Sequence, residues 1–244
     1  RLNIAVILAG GVGSRLGADR PKQFIEVLGK PIIVYTIEAF QENDKIDFIE
    51  VVCVKSHINY MYKLLKQYNL TKVEIITEGG KDFQNSVING LVGLDKKCSN
   101  EDIVLVHFGA SPFIEKDIIS DAIVVCQEKG NAISTIPFYV LAGIKDDDTK
   151  SSTWIDRDSI ACMSSPHAFK YGYITDLYDR AMSTGVIDKV EPHTTTLMHK
   201  MGETIYFSKG SQCNIKITTK EDLMLFEGYL LAKERREKSV DKQN

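Results

Sequence analysis

Five short apolar runs recur along the first 136 residues, and a stretch of helical character separates each run from the next. The runs have the length of β-strands and span residues 4–8, 48–54, 73–77, 103–106 and 132–136. Between them, Pro31 opens a segment with an inward apolar face, and residues 117–127 repeat that pattern. Such alternation is typical of βαβ units. The sequence therefore predicts an α/β fold with a mostly parallel central sheet.

The first apolar run ends in a glycine-rich turn, Ala9-Gly10-Gly11-Val12-Gly13-Ser14-Arg15, which Pro21-Lys22-Gln23 follows. Glycines allow backbone N–H groups to converge on an anion, and Arg15 and Lys22 add positive charge. A P-loop ATPase is disfavoured because no Gly-Lys-Ser/Thr string is present, and the glycine spacing fits a dinucleotide fingerprint poorly. The turn predicts a polyphosphate site, with a purely structural turn as the alternative.

Composition excludes several classes of partner. The 244 residues carry a net charge of −3, which predicts no binding of nucleic acid or of an anionic membrane surface. No apolar run approaches the roughly 18 residues of a membrane span. The five cysteines have no C-x-x-C spacing, so reduced thiols and a cytoplasmic location are expected.

Residues 139–165 break the alternation of strands and helices. A polar turn at 145–152 separates two short strand-like pieces, which predicts a projecting β-hairpin arm. An isolated hairpin is marginal in water, so this arm needs a partner surface. The predicted organisation is a single Rossmann-like three-layer domain over residues 1–235 that includes the arm, followed by a frayed charged tail at 236–244.

Motifs spread over nearly the whole chain carry a resemblance to a known family. Besides the opening turn with Pro21-Lys22-Gln23-Phe24, they are Gly79-Gly80-Lys81-Asp82-Phe83-Gln84-Asn85-Ser86, Val106-His107 with Pro112-Phe113, Asp156-Arg157, Ser165-Pro166, and Asn214-Ile215-Lys216-Ile217-Thr218 with Glu221-Asp222-Leu223. In these motifs the chain resembles the cytidylyltransferases that act on methylerythritol phosphate and ribitol phosphate.

The resemblance implies CTP and a small phosphorylated alcohol as substrates, Mg²⁺ as cofactor and a homodimer held by the arm. The residues expected to bind the nucleotide are Ala9, Gly10, Gly11, Gly13, Ser14, Arg15, Lys22, Gly80, Lys81, Ser86 and Gly109. Those expected to bind the acceptor are Arg157, which reaches across into the partner's site, Ser165 and Lys216. Catalysis is assigned to Arg15, Lys22, Arg157 and Lys216, because an anionic phosphate nucleophile needs placement and charge neutralisation rather than a general base.

The chain departs from the family pattern mainly where a metal and the acceptor would bind. Family members usually carry an aspartate that helps to hold the metal where this chain has Phe108, and an arginine where it has Phe83. Ser111, Cys213, His193-Thr194 and Leu141-Ala142 depart as well. Phe108 cannot coordinate Mg²⁺, so the metal ligands stay unassigned, with His107 and Asp82 as the nearest polar candidates. Phe83 and Phe108 are expected to pack together.

Three functions remain open from the sequence. An active cytidylyltransferase is favoured, because the opening turn, Lys22, Arg157 and Lys216 are all present. The loss of a metal ligand instead favours a CTP-binding pseudoenzyme or regulatory homologue. A sugar-1-phosphate nucleotidyltransferase would share the opening turn, but it would carry a longer chain and a purine or thymidine pocket.

Overall fold

The computed structural model describes residues 1–11 and 19–240. Within them the chain forms eleven strands and seven α-helices. The strands are β1 (Asn3–Ala9), β2 (Glu26–Val27), β3 (Lys30–Pro31), β4 (Phe48–Cys53), β5 (Val73–Glu78), β6 (Ile103–Phe108), β7 (Asn131–Pro137), β8 (Gly143–Ile144), β9 (Thr153–Trp154), β10 (Ala161–Lys170) and β11 (Phe207–Lys209). The helices are α1 (Ile32–Gln41), α2 (Ile58–Gln67), α3 (Phe83–Leu94), α4 (Lys116–Lys129), α5 (Tyr171–Ser183), α6 (Thr194–Lys200) and α7 (Lys220–Val240).

Seven of these strands form one central sheet, in the order β11-β7-β10-β6-β1-β4-β5. The strand β1 pairs in parallel with both β4 and β6, so that Val6 lies beside Glu50 on one side and Val106 on the other. Only β10 among the described strands of this sheet runs antiparallel to its neighbours. The predicted mostly parallel sheet is confirmed, and all five predicted strands are present.

Helices cover both faces of the sheet, which gives the three predicted layers. On one face, α1, α2 and α4 bury Ile37, Met61 and Ile119 against the sheet. On the other face, α3 and α5 bury Leu91 and Leu177. All six residues of β4 are buried because both faces of this strand are covered.

The predicted arm contains a two-stranded hairpin in which β8 pairs antiparallel with β9. Its turn is held by an ion pair of 2.7 Å between Lys145 and Asp148. The predicted end of the arm at residue 165 differs from the structure, because β10 begins at Ala161 and pairs there with Pro137 of β7. The last five residues assigned to the arm therefore belong to the central sheet.

The first half of the helix α7 packs against the domain. Its second half runs past the predicted end of the domain at residue 235. Asp222 Oδ2 accepts hydrogen bonds from the Thr218 and Thr219 backbone N–H groups, and Phe226 is buried against Phe113 and Tyr35. The helix continues to Val240, past the domain boundary predicted at residue 235. Helix-favouring residues and an i,i+4 pair, Glu234 with Lys238 at 3.7 Å, explain the continuation. Residues 241–244 lie outside the described part of the chain.

None of the described helices is long and apolar enough to span a bilayer.

Candidate active site

A cleft of about 600 Å³ opens at the carboxyl ends of β1, β4, β5 and β6. In open α/β sheets ligands bind at this edge. The lining residues are Leu8, Gly10, Gly11, Lys22, Gln23, Val54, Lys55, Gly79, Gly80, Lys81, Asp82, Phe83, Ser86, Phe108, Ala110, Lys216 and Thr218. We call Gly10, Gly11, Gly79, Gly80 and Ser86 the glycine side of the cleft. Phe83, Phe108 and Lys216 form its aromatic side.

The glycine side consists of two backbone turns packed against each other. A Cβ on Gly79 would lie 2.9 Å from the Gly10 Cα, and a Cβ on Gly10 would lie 2.8 Å from the Ser86 Oγ. Both turns are tied to β4, because the Gly79 N–H donates to the Cys53 carbonyl and the Val54 N–H to the Ala9 carbonyl. Larger residues would force these turns apart, so this wall is formed mainly by backbone atoms, with the Ser86 side chain packed against them.

Gln23 fixes the start of the first glycine turn. Its side-chain amide donates hydrogen bonds of 2.8 Å to the Ala9 carbonyl and 3.0 Å to the Gly11 carbonyl. Gln23 lies in a 3₁₀ turn, Lys22–Phe24, whose Phe24 is fully buried in the core and stacks on His57 with centroids 4.8 Å apart. This anchoring places Lys22 at the cleft wall.

The second glycine turn leads into α3 and carries the predicted base-contacting residues. The Gly80 N–H donates to the Ser86 Oγ at 3.0 Å. Asp82 caps the helix, since its Oδ1 accepts from the Asn85 N–H at 2.8 Å and from the Asn85 Nδ2 at 2.7 Å. These bonds close the turn over the cleft.

Lys216 lies on an irregular segment that is tied down on both sides. The neighbouring Ile217 is fully buried, and its N–H donates to the Ala110 carbonyl at 2.8 Å. The Asn214 Nδ2 donates to the Ser165 carbonyl at 2.6 Å. The backbone of Lys216 is therefore fixed beside the end of β6.

Phe83 and Phe108 pack together with centroids 5.5 Å apart, so the predicted contact between the two rings is confirmed. His193 lies 5.1 Å from Phe83, and His167 lies 6.4 Å from Phe108 with the rings nearly perpendicular. The Lys216 Nζ lies 4.0 Å from the Phe108 centroid. The aromatic side is thus a cluster of rings with one ammonium group on its surface.

The cleft is basic, although the protein as a whole is acidic. Four lysines, Lys22, Lys55, Lys81 and Lys216, are among the described lining residues, against the single carboxylate of Asp82. Lys55 forms an ion pair of 3.5 Å with the exposed Glu78. Such a local excess of positive charge attracts a polyanion.

Neither polar candidate for the missing metal ligand fits that role. His107 is fully buried beside Phe40, its Nε2–H donates to the Ser111 carbonyl at 2.8 Å, and burial lowers its pKa to about 4. The Asp82 carboxylate is occupied by the helix cap. No cluster of three metal-ligating side chains occurs in the described parts of the chain. The described side chains therefore do not fit a carboxylate-held Mg²⁺ site.

The predicted site residues fall into four groups. Those that line the cleft are Gly10, Gly11, Lys22, Gly80, Lys81, Ser86 and Lys216. Ala9 and Gly109 lie directly behind it; the Ala9 side chain is in the core, and the Gly109 N–H donates to the Leu8 carbonyl. Ser165 is buried under Asn214, and Arg157 lies exposed at the base of the arm, outside the cleft of its own chain. Gly13, Ser14 and Arg15 lie outside the described residues.

Sequence reasoning missed several lining residues as members of the site. Lys55 follows β4 directly, so the rule that ligands gather at strand ends could have found it. Gln23 belongs to the Pro21-Lys22-Gln23-Phe24 motif, but no local sequence pattern indicates its two hydrogen bonds to backbone carbonyls. Thr218 and its bond to Asp222 carry an S/T-x-x-x-D pattern that marks only a helix start.

Comparison with known proteins agrees with this geometry. Residues 3–232 match the family described as 2-C-methyl-D-erythritol 4-phosphate cytidylyltransferase. A ribitol-5-phosphate cytidylyltransferase from Lacticaseibacillus paracasei is 41% identical over 94% of this chain and 98% of its own length. A 2-C-methyl-D-erythritol 4-phosphate cytidylyltransferase from Clostridium acetobutylicum is 36% identical over 94% of this chain and 97% of its own length.

Solved structures show the same fold. The crystal structure of 4-diphosphocytidyl-2C-methyl-D-erythritol synthase from Anaerococcus prevotii aligns with a TM-score of 0.75 at 23% identity, and covers 95% of this chain and 99% of its own. The Francisella tularensis 2-C-methyl-D-erythritol 4-phosphate cytidylyltransferase aligns with a TM-score of 0.72 at 26% identity, covering 92% and 98%. The chain therefore belongs to the 2-C-methyl-D-erythritol 4-phosphate cytidylyltransferase family.

Proposed function

We propose that this protein transfers the cytidylyl group of CTP to a small polyol phosphate, with release of pyrophosphate and formation of a CDP-alcohol. The observation that carries the proposal is the basic cleft, in which four lysines and two glycine turns meet in a chain of this family. A triphosphate and an acceptor phosphate bring several negative charges together, and the lysines offset their repulsion.

In the proposed reaction an oxygen of the acceptor phosphate attacks the α-phosphorus of CTP. The new bond joins the acceptor oxygen to this phosphorus, and the bond to the β-phosphate breaks, so that pyrophosphate leaves with the electron pair. The acceptor oxygen is already anionic near neutral pH, so no proton has to be removed from it. The chemistry therefore requires positioning and charge neutralisation.

The protein's own residues divide this work. We assign the triphosphate to the backbone of Gly10 and Gly11 and, on the strength of the sequence alone, to Gly13, Ser14 and Arg15. Lys22 would neutralise the charge that grows at the α-phosphate and on the departing pyrophosphate. Gly80 and Ser86 would contact the cytosine edge, beside Lys81.

Family enzymes are generally metal-dependent, and we propose Mg²⁺ as the metal. The triphosphate supplies oxygen ligands of its own, and Mg²⁺ characteristically enters such sites with substrate phosphates and water in its coordination shell. This arrangement is compatible with a cleft whose one described carboxylate is used as a helix cap.

For the acceptor we propose ribitol 5-phosphate. The relative that carries this name shares 41% of its residues with the chain, against 36% for the methylerythritol-phosphate relative. Lys216 would contact the acceptor phosphate near the transferred group, and Ser165 would lie behind it. One altered pocket contact can change acceptor preference by a few kcal/mol, so the acceptor has to be measured.

We also propose a homodimer held by the arm. The exposed apolar side chains of this region are Tyr139, Val140, Leu141, Ile144 and Trp154. The Arg157 Nη1 donates to the Tyr139 carbonyl at 2.9 Å, so the arginine is carried by the same surface. A partner that covered this surface would receive Arg157 near its own cleft. A monomeric mass in light scattering at micromolar protein would contradict the dimer.

The test of the proposed function is a pyrophosphate-release screen with CTP, MgCl₂ and a panel of phosphorylated alcohols. We expect turnover with ribitol 5-phosphate, and little with UTP, ATP or dTTP in place of CTP. Measurable CTP binding without pyrophosphate release over the whole panel would instead identify a pseudoenzyme. Preference for a purine or thymidine nucleotide with a sugar 1-phosphate would identify the third alternative.

A further inference from the structure

The aromatic side of the cleft has an apolar floor, which consists of Leu8, Phe83 and Phe108. Phe108 ends β6 and pairs with Leu8 of β1 in the sheet, and both residues line the cleft. Phe83, at the start of α3, packs on Phe108 with the ring centroids 5.5 Å apart. The Lys216 Nζ lies 4.0 Å from the Phe108 centroid. An acceptor whose phosphate binds at Lys216 would therefore place its carbon chain next to these rings.

Packing around the two rings fixes the apolar floor. Phe83 begins a helix that Asp82 caps, and its ring lies beside His193 with the centroids 5.1 Å apart. The Phe108 ring meets His167 nearly edge-on, with the centroids 6.4 Å apart. Because neighbours from several elements restrict both rings, the apolar surface is formed before an acceptor binds, and little ordering of side chains is needed on binding.

Three of the described lining residues carry uncharged polar side chains, and each of them has a hydrogen bond within the protein. The Gln23 amide donates to two backbone carbonyls, and the Ser86 Oγ accepts from the Gly80 N–H at 3.0 Å. The Thr218 Oγ1 donates to the Asp222 Oδ2 at 3.0 Å. The fold thus already uses those uncharged groups of the described lining that could recognise the hydroxyls of an acceptor.

Polar and apolar walls discriminate between ligands to very different degrees. A site that is built to hydrogen-bond a hydroxyl rejects an analogue without it by about 10⁴–10⁵-fold, because its buried polar groups are left unpaired. An apolar wall distinguishes ligands that differ by one methylene by about 10–200-fold, and it discriminates only weakly against an added hydroxyl. The apolar floor of this cleft is a wall of the second kind.

We propose that Phe83 and Phe108 are specificity-determining residues, which select the acceptor by the length of its carbon chain and discriminate little between hydroxyl patterns. The substrate class is then the phosphate monoesters of short linear alcohols, of which ribitol 5-phosphate is one member. The inference rests on the proposed function for the reaction and for the phosphate at Lys216. The hydroxyls of the bound acceptor face the open side of the cleft, where water satisfies them.

A panel of acceptors tests the inference on the wild-type protein. Xylitol 5-phosphate inverts one hydroxyl of ribitol 5-phosphate, and 5-hydroxypentyl phosphate lacks the inner hydroxyls but keeps the full carbon chain. At saturating CTP we expect kcat/KM for both to stay within about thirtyfold of the value for ribitol 5-phosphate. Glycerol 3-phosphate has a shorter chain and should react less well than either. A larger loss with either long analogue, or a higher kcat/KM with glycerol 3-phosphate, would overturn the proposal.

Variants of Phe83 test whether its ring makes the contact. In Phe83→Ser we expect the KM for 5-hydroxypentyl phosphate to rise about tenfold and that for ribitol 5-phosphate about threefold, since the deoxygenated chain depends more on apolar contact. Phe83→Leu should lie between serine and wild type, and it carries the test if the serine variant does not fold. Phe207→Ser, on the exposed part of β11, is the control and should change neither KM. Equal rises for the two acceptors, or a matching rise in the KM for CTP, would overturn the proposal.

A binding measurement separates this inference from the proposed function. With the α,β-methylene analogue of CTP bound, no cytidylyl group is transferred and the acceptor stays intact. Saturation of the aromatic protons should then reach the carbon-bound protons of 5-hydroxypentyl phosphate in wild type, and this transfer should fall at least threefold in Phe83→Leu. Saturation transfer without turnover of any acceptor would refute the proposed function and support the apolar contact. Turnover of ribitol 5-phosphate without saturation transfer would overturn the contact alone, and the absence of both would overturn both.

Discussion

The two sides of the cleft are built from different parts of the chain. The glycine side is a wall of backbone, where Gly10 and Gly79 approach too closely to admit a Cβ. The aromatic side is a wall of side chains, in which Phe83, Phe108 and Lys216 come from three separate elements. A backbone wall tolerates few residue types, whereas a side-chain wall can be rebuilt by paired substitutions. This difference explains why two of the departures from the family pattern, Phe83 and Phe108, could arise together on the aromatic side.

Among the substitutions that test this comparison, replacement of Lys22 should have the largest effect on the rate. Lys22 lies against the glycine side, and we expect Lys22→Met to lower kcat by about 10²–10³-fold, the loss typical when a group that stabilises transition-state charge is removed. Steady-state pyrophosphate release at saturating CTP and acceptor measures the effect.

Lys55 is the matched control, since it lines the same cleft and carries the same charge. Its ammonium lies 3.5 Å from Glu78, which already offsets part of its field. We expect Lys55→Met to change kcat less than fivefold. Equal losses for the two variants would show that total charge matters and that the position of Lys22 does not.

The sequence predicted the glycine side of the cleft better than the aromatic side. Gly10, Gly80 and Lys22 were predicted as members of one site, and all three line the cleft, because turns after parallel strands meet at one sheet edge. The start of β10 at Ala161 and the full length of α7 were not predicted. Strand pairing of Ala161 with Pro137 and helix continuation to Val240 depend on contacts and on neighbours that local patterns do not contain.

The sequence predicted only one of the ring contacts on the aromatic side. Two phenylalanines 25 positions apart suggested a contact because both replaced charged family residues, and the structure has that contact. Nothing in the sequence indicated that His167 and His193 would join them, since their positions follow from the packing of β10 and of the turn before α6.

Substitution of Glu50 tests whether a change beneath α3 affects both sides of the cleft. This helix carries Phe83 of the aromatic side and Ser86 of the glycine side. A Cβ on Gly93 of this helix would lie 2.5 Å from the Glu50 Oε1, which accepts a hydrogen bond from Thr77. Burial raises the pKa of Glu50 to about 8. The folded protein therefore keeps the proton, whereas the unfolded chain releases it above about pH 4.5.

The free energy of unfolding should accordingly fall as the pH rises from about 4.5 to about 8, by at most about 1.4 kcal/mol per pH unit from this group. Glu50→Gln should remove this dependence and gain about 2–3 kcal/mol on the wild type between pH 5 and pH 7, measured by urea unfolding. The exposed Glu227→Gln is the control. Parallel pH profiles of the free energy of unfolding for wild type and Glu50→Gln would contradict the buried neutral carboxyl.

The KM values of Glu50→Gln for CTP and for the acceptor compare the two sides of the cleft. A change in only one of them would show that α3 supports the two sides unequally.

Gln23 gives the smallest expected effect and the most selective one. Gln23→Leu keeps the site apolar and similar in size, but it leaves the Gly11 carbonyl without the bond of 3.0 Å from the side-chain amide. The Ala9 carbonyl retains a bond from the Val54 N–H, so the turn is loosened at its cleft end rather than released. A lost hydrogen bond to a part-buried carbonyl costs about 1–2 kcal/mol, which corresponds to a rise of about tenfold in the KM for CTP.

Because Gln23 touches only the glycine side, the KM for the acceptor at saturating CTP should stay within twofold in this variant. Gln127→Leu, on the exposed face of α4, controls for the change in residue type. Initial rates over a grid of CTP and acceptor concentrations separate the two constants. If both KM values rise together, the two sides are coupled through the opening turn, and the backbone wall and the side-chain wall cannot be treated as independent parts of the site.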